Sequence, residues 1–189
     1  MRVLSAYVRW VEAVNRTLGR IVMYGIFVMA GILLWSTFSK AFLLPSLWTL
    51  EMAQFAMVAY YVLGGPYAIQ MGSNVRMDLF YGAWSDRRKA AVDAVTVLFL
   101  LFYLGVLLYG GLGSLAYSLG FWGTDYLSFF AGLVTGAEEI GRLETSPTAW
   151  RPWLWPIKTI MVVGLILMLL QAVAELIKDV WRIRGVEAP

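Results

Sequence analysis

Neither cysteine nor histidine occurs anywhere in the chain. Without cysteine there is no disulfide and no thiolate chemistry, and the redox compartment leaves no mark on the sequence. Without histidine, bis-histidine haem ligation, imidazole zinc sites and Ser/His/Asp catalysis are excluded. Charge is scarce too. Asp, Glu, Lys and Arg make up 14% of the residues, with none between Glu51 and Arg76 or between Asp93 and Asp125. Hydrophobic residues reach 60% and mean hydropathy is +0.71, which no ordinary soluble domain shows. The composition is that of an all-α integral membrane protein, residues 1–189 forming one bundle without a separate soluble domain. A net charge of +3 gives no reason to expect a nucleic-acid partner.

Residues 4–18 have apolar Leu4, Tyr7, Val8, Val11, Val14 and Leu18 at helical spacing, with Arg2, Ser5, Arg9, Glu12 and Arg16 on another face. That pattern, with Trp10, predicts an amphipathic helix in the membrane interface, the alternative being a simple cytosolic extension of the first span. The first span is expected over 21–38, as an uncleaved signal anchor behind four arginines. The second, 52–71, contains Gly64-Gly65-Pro66, where a proline-induced kink and close helix approach are expected. Gln54 and Gln70 lie near its two ends, and amides in a span usually face protein. The third, 90–111, follows Ser85 as N-cap and is expected to weaken at Gly110-Gly111-Leu112-Gly113. The fourth covers 153–177. Between the last two, Asp125 should cap a short apolar helix over Tyr126–Val134, and a further turn should begin at Thr145-Ser146-Pro147. Glu138, Glu139 and Glu144 make this connection acidic, either as a solvated loop or as a docking surface.

Lysine and arginine gather in the N-terminal arm, between the second and third spans, and in the C-terminal tail. The positive-inside rule then makes both termini cytoplasmic and puts Glu51 and the long connection outside. Tryptophans fall at or beyond the span ends, as an aromatic belt requires.

In this frame, residues 48–89 read as an outer carboxylate, a glycine- and proline-broken span and an inner polar turn. Trp48 and Glu51 open the span, and Asn74-Val75-Arg76-Met77-Asp78 close it. The order of these motifs resembles the small membrane subunit of tripartite ATP-independent periplasmic (TRAP) transporters, the DctQ-like family. Asn74 stands where that family often has histidine. The resemblance implies a non-catalytic scaffold for a large, DctM-like permease subunit that binds sodium and substrate. It also implies a periplasmic solute-binding protein, an organic acid or related solute, the cytoplasmic (inner) membrane, and no cofactor in this chain. Trp48, Glu51, Gln54, Gly64, Gly65, Pro66, Gln70, Asn74, Arg76 and Asp78 become candidates for structural or subunit-interface roles, with membrane lipids as further partners. Glu51 would either stabilise the start of its helix or pair with a basic group of the partner. The alternative is a self-sufficient, homo-oligomeric small transporter or channel. Such a protein needs ionisable groups inside the membrane, and here charges collect at the span ends.

Overall fold

The computed structural model describes residues 2–72 and 84–185. Among these, the secondary structure is helical apart from one isolated bridge, Thr145 to Trp153. Six helices follow in order: α1 (Arg2–Val22), α2 (Gly25–Phe42), α3 (Thr49–Gln70), α4 (Asp86–Ser118), α5 (Tyr126–Thr135) and α6 (Trp155–Ile183). Three stretches are long and apolar enough to cross a membrane: Arg2–Phe42, which holds α1 and α2, Arg88–Ser118 and Trp155–Ile183. α3 has 22 residues, long enough to cross, but its glutamate, two glutamines and three tyrosines make it less apolar.

α6 is the hub. It packs against α4 most extensively, then α3, then α1, while α2 is held mainly by α3. Residue contacts give the directions. Gly65 meets Met168 and Val62 meets Gly164, so α3 and α6 run the same way. Gly19 lies under Tyr67, Gly25 under Tyr60, and Gly111 against Val162 and Leu165, so α1, α2 and α4 run the opposite way. Two apolar clusters fill the space, Val8, Val11, Ala174 and Trp181 between α1 and α6, and Leu104, Leu165 and Ala172 between α4 and α6.

Several expectations change. α1 is a helix, but Val8, Val11, Asn15 and Gly19 are buried in the bundle, so much of its inner face is held by protein rather than lipid. A turn at Met23–Tyr24 separates it from α2, moving the first apolar helix about one turn later than 21–38. α4 runs unbroken through Gly110-Gly111-Leu112-Gly113 and on to Ser118. In a bilayer a helix keeps its own hydrogen bonds because no water replaces them, so glycines that would end a helix in water are tolerated. Gly111 and Gly113 also let α6 and the Tyr126 ring approach. Ser85 occupies the N-cap position through its carbonyl, which accepts from the backbone N–H groups of Arg88 and Lys89, without a side-chain bond. α6 continues past residue 177, so Lys178, Asp179 and Arg182 are helical. Trp181 is buried against α1, and the other tryptophans are exposed.

The connection between α4 and α6 contains one helix. As expected, Asp125 caps it, accepting from the Ser128 N–H at 3.3 Å, and Gly136 ends it in the left-handed region at φ 75°. Thr145-Ser146-Pro147 starts no helix. The segment folds back on itself through the bridge to Trp153 and the bond from Ser146 N–H to the Pro152 carbonyl at 2.9 Å.

Pro66 does not end α3, which stays helical across Gly64-Gly65-Pro66. Proline has no N–H to offer the carbonyl four residues back, that of Val62. That carbonyl lies against Gly164, where an added Cβ would come within 2.9 Å of its oxygen and 2.4 Å of Val62 Cγ1. Gly164 therefore makes room for a backbone group that Pro66 leaves short of a donor. At Gly64 the nearest atom to an added Cβ is 4.0 Å away. Gly164→Ala is expected to cost about 1–3 kcal/mol, as overpacking against backbone does, and to lower the melting temperature in detergent. Gly64→Ala should leave it unchanged.

Candidate subunit interface

The candidate residues on α3 separate into an inner group, which holds this chain together, and an outer group. Glu51 belongs to the inner group. It is 7% exposed, in the first turn of α3, where a carboxylate suits the helix dipole. Its Oε1 accepts from Ser146 Oγ at 2.5 Å and Thr148 Oγ1 at 2.7 Å. Its Oε2 is buried and makes no hydrogen bond among the described residues. Ser146 and Thr148 lie on the folded-back segment before α6. Gly65 and Pro66 are inner as well. Gly65 packs on Met168 and Pro66 is fully buried. Gly64 has ordinary space, and Gln70 has a buried Oε1 without a hydrogen-bond partner among the described residues.

Gln54 is exposed. It shares one face of α3 with Leu50, Met57 and Tyr61, all exposed, at helical spacings of four, three and four residues. Trp48, at the N-cap position, is also exposed. Asn74, Arg76 and Asp78, with Val75 and Met77 between them, lie outside the described residues.

Other polar ties had no local sequence signal. Ser36 and Ser39 of α2 meet Ser46 and Thr49 in a hydroxyl cluster. Ser39 Oγ lies 3.1 Å from Ser46 Oγ, and Thr49 Oγ1 donates to Ser36 Oγ at 3.1 Å. This cluster joins α2 to the start of α3. At the other end of the bundle, Asn15 Nδ2 donates to Gln171 Oε1 at 2.8 Å, and Gln171 Nε2 to Glu175 Oε1 at 2.9 Å. Lys178 Nζ then bonds Glu175 at 2.6 Å and Glu12 at 2.8 Å. Asn15 Oδ1 is buried without a hydrogen-bond partner among the described residues. Lys158 pairs with Glu144 at 2.5 Å and donates to the Ser114 carbonyl at 3.2 Å. Of the acidic residues in the connection, Glu144 is thereby used inside the chain, while Glu138 and Glu139 are exposed. Sequence spacing could have suggested only the pairs within one helix, such as Glu175 with Lys178.

No group of three or more metal-ligating side chains occurs among the described residues. Among the described residues the arrangement offers packing faces and hydrogen bonds.

Against known proteins, the family model for tripartite ATP-independent periplasmic transporters, DctQ component, matches residues 29–182. No curated protein matches. No solved structure matches either.

Two outcomes follow from the ties above. Glu51→Ala leaves the buried Ser146 hydroxyl and the more exposed Thr148 hydroxyl without their acceptor, a loss of about 1.5–3 kcal/mol for hydrogen bonds to a charged group. It should expose residues 141–153 to proteolysis, whereas Glu51→Gln, which keeps an acceptor oxygen, should protect them nearly as well as the natural residue does. For the buried amides, Asn15→Leu and Gln171→Leu should each destabilise the bundle. In a double-mutant cycle read by denaturation in mixed micelles, the pair should show a coupling of about 0.5–2 kcal/mol.

Proposed function

The chain belongs to the DctQ component family of tripartite ATP-independent periplasmic transporters, and on that premise we propose that it is the non-catalytic scaffold subunit of such a transporter. It is a membrane component of a transport system. In the proposed reading, α2, α3, α4 and α6 are four spans in the inner membrane, both termini are cytoplasmic, and the whole chain is one membrane domain. The alternation of helix directions supports this. α2 and α4 run opposite to α3 and α6, as four successive crossings must, and the arginine-rich segments then fall on one side. A large permease subunit carries the substrate and sodium sites, and a periplasmic binding protein delivers an organic acid or related solute. This chain requires no cofactor.

The observation that carries the scaffold reading is the exposed face of α3. Gln54 sits there among Leu50, Met57 and Tyr61, with no hydrogen bond among the described residues. Lipid would leave an amide at such a site unpaired, at a cost a protein partner removes. The inner polar groups, by contrast, are tied to one another: Glu51 to Ser146 and Thr148, and Lys178 to Glu12 and Glu175. On this reading the α3 face, with its amide, is where the large subunit sits.

Purification in mild detergent of this chain, co-expressed with the large permease subunit, should recover both. Sodium-driven uptake in vesicles should need both subunits together with the binding protein. Gln54→Trp combined with Tyr61→Ala should cut recovery of the permease at least about tenfold, the loss of one or two anchoring contacts, while this chain still folds. Uptake by this chain alone would establish the homo-oligomeric transporter instead.

A further inference from the structure

α1 has three faces, and the bundle uses one. Val8, Val11, Asn15 and Gly19 dock on α6 and α3. A second face stays open and apolar. Ala13, Val14, Thr17, Leu18 and Ile21 line a shallow groove of about 420 Å³, with exposed Trp10 further along the helix. The third face carries Arg2, Arg9, Arg16 and Arg20, all exposed, seven, seven and four residues apart and therefore on one stripe. None of these guanidinium groups has a hydrogen bond or ion pair among the described residues.

Groove and stripe adjoin. Arg16 and Arg20 are one turn apart, close enough for both to reach one phosphate, and they border the groove beside Ala13 and Thr17. A simple interfacial helix could roll to suit the membrane. Here the Asn15–Gln171 bond and the Gly19–Tyr67 contact fix its rotation, so the groove and the two arginines keep a set relation. We propose that this face is a binding site for an anionic phospholipid, with one acyl chain in the groove at Ala13, Leu18 and Ile21 and the headgroup phosphate between Arg16 and Arg20. The apolar groove distinguishes this occupant from an acidic protein segment, which would engage the arginines without filling it. The inference rests on reading the chain as a membrane component, and its test needs neither the permease nor transport.

The test uses the full chain, delipidated in mild detergent, with phosphatidylglycerol or phosphatidylcholine of identical acyl chains, and bound lipid is read by native mass spectrometry. Phosphatidylglycerol should be retained preferentially. Arg16→Gln with Arg20→Gln should weaken its binding about thirtyfold, the effect of two basic residues at a headgroup. Arg2→Gln with Arg9→Gln should change it much less. Ala13→Trp, which fills the groove and keeps every arginine, should also abolish retention. Unchanged melting temperatures would show that these exposed substitutions leave the fold intact. Equal retention of the two lipids would overturn the site. So would equal losses from the two arginine pairs, which mean diffuse attraction, or full competition by glycerol phosphate without acyl chains. An arginine effect that appears only with the large subunit present would assign the stripe to a protein partner and refuse the lipid.

Discussion

The bond between Asn15 and Gln171 is a contact between two amides that solvent does not reach. In such a place an amide that loses its partner has nothing to replace it, so the pair fixes how α1 and α6 meet. Gln171 passes the constraint to Glu175, and Lys178 passes it back to Glu12 on α1. With α1 held, Gly19 comes under Tyr67, and α3 is placed against both helices. The apolar clusters add bulk to this arrangement, but apolar side chains slide past one another at little cost, and in a bilayer no solvent drives them together. Hydrogen bonds between helices and glycine contacts set the register instead.

At the other end of the bundle the same work falls to a loop. The segment between α4 and α6 is tied to three helices. Glu51 of α3 accepts from Ser146 and Thr148, the Ser118 carbonyl at the end of α4 accepts from the Glu144 N–H, and Lys158 of α6 pairs with Glu144. Gly120, at φ 88°, permits the turn out of α4 and lets the backbone of Gly141 and Arg142 press against it; a side chain there would strike that backbone at 2.6 Å. The segment acts as a strap over the helix ends.

How much of this could be read in the sequence depended on how local the cause was. α3 was legible because its boundaries are marked by Trp48 and Gly72, and the Asp125 cap because the capping bond spans only three residues. α4 was cut short because a cluster of glycines ends helices in water, whereas a membrane helix tolerates it. The partners of Glu51 stand some 95 residues away, and no spacing rule reaches that far. Asn15 and Gln171 were passed over for the same reason. Gly164 looked unremarkable because its role depends on the carbonyl that Pro66 deprives of a donor, on another helix. Order of motifs proved sufficient for the family, because that signal lies along the chain.

The hub of the bundle, α6, follows the other five described helices in the chain. During synthesis α2 and α3 can pair as soon as both have emerged, joined by their hydroxyl cluster. α4 has no comparable neighbour until α6 arrives, and α1, although it touches α3, has no partner for Asn15 until Gln171 follows. A ribosome stalled before residue 155 would therefore leave a hairpin and loose helices, with the glycine surfaces of α3 and α4 uncovered. Completion of the bundle is in effect a signal that the chain has been read through α6, and membrane quality control could sense its absence as unburied glycine and amide surface.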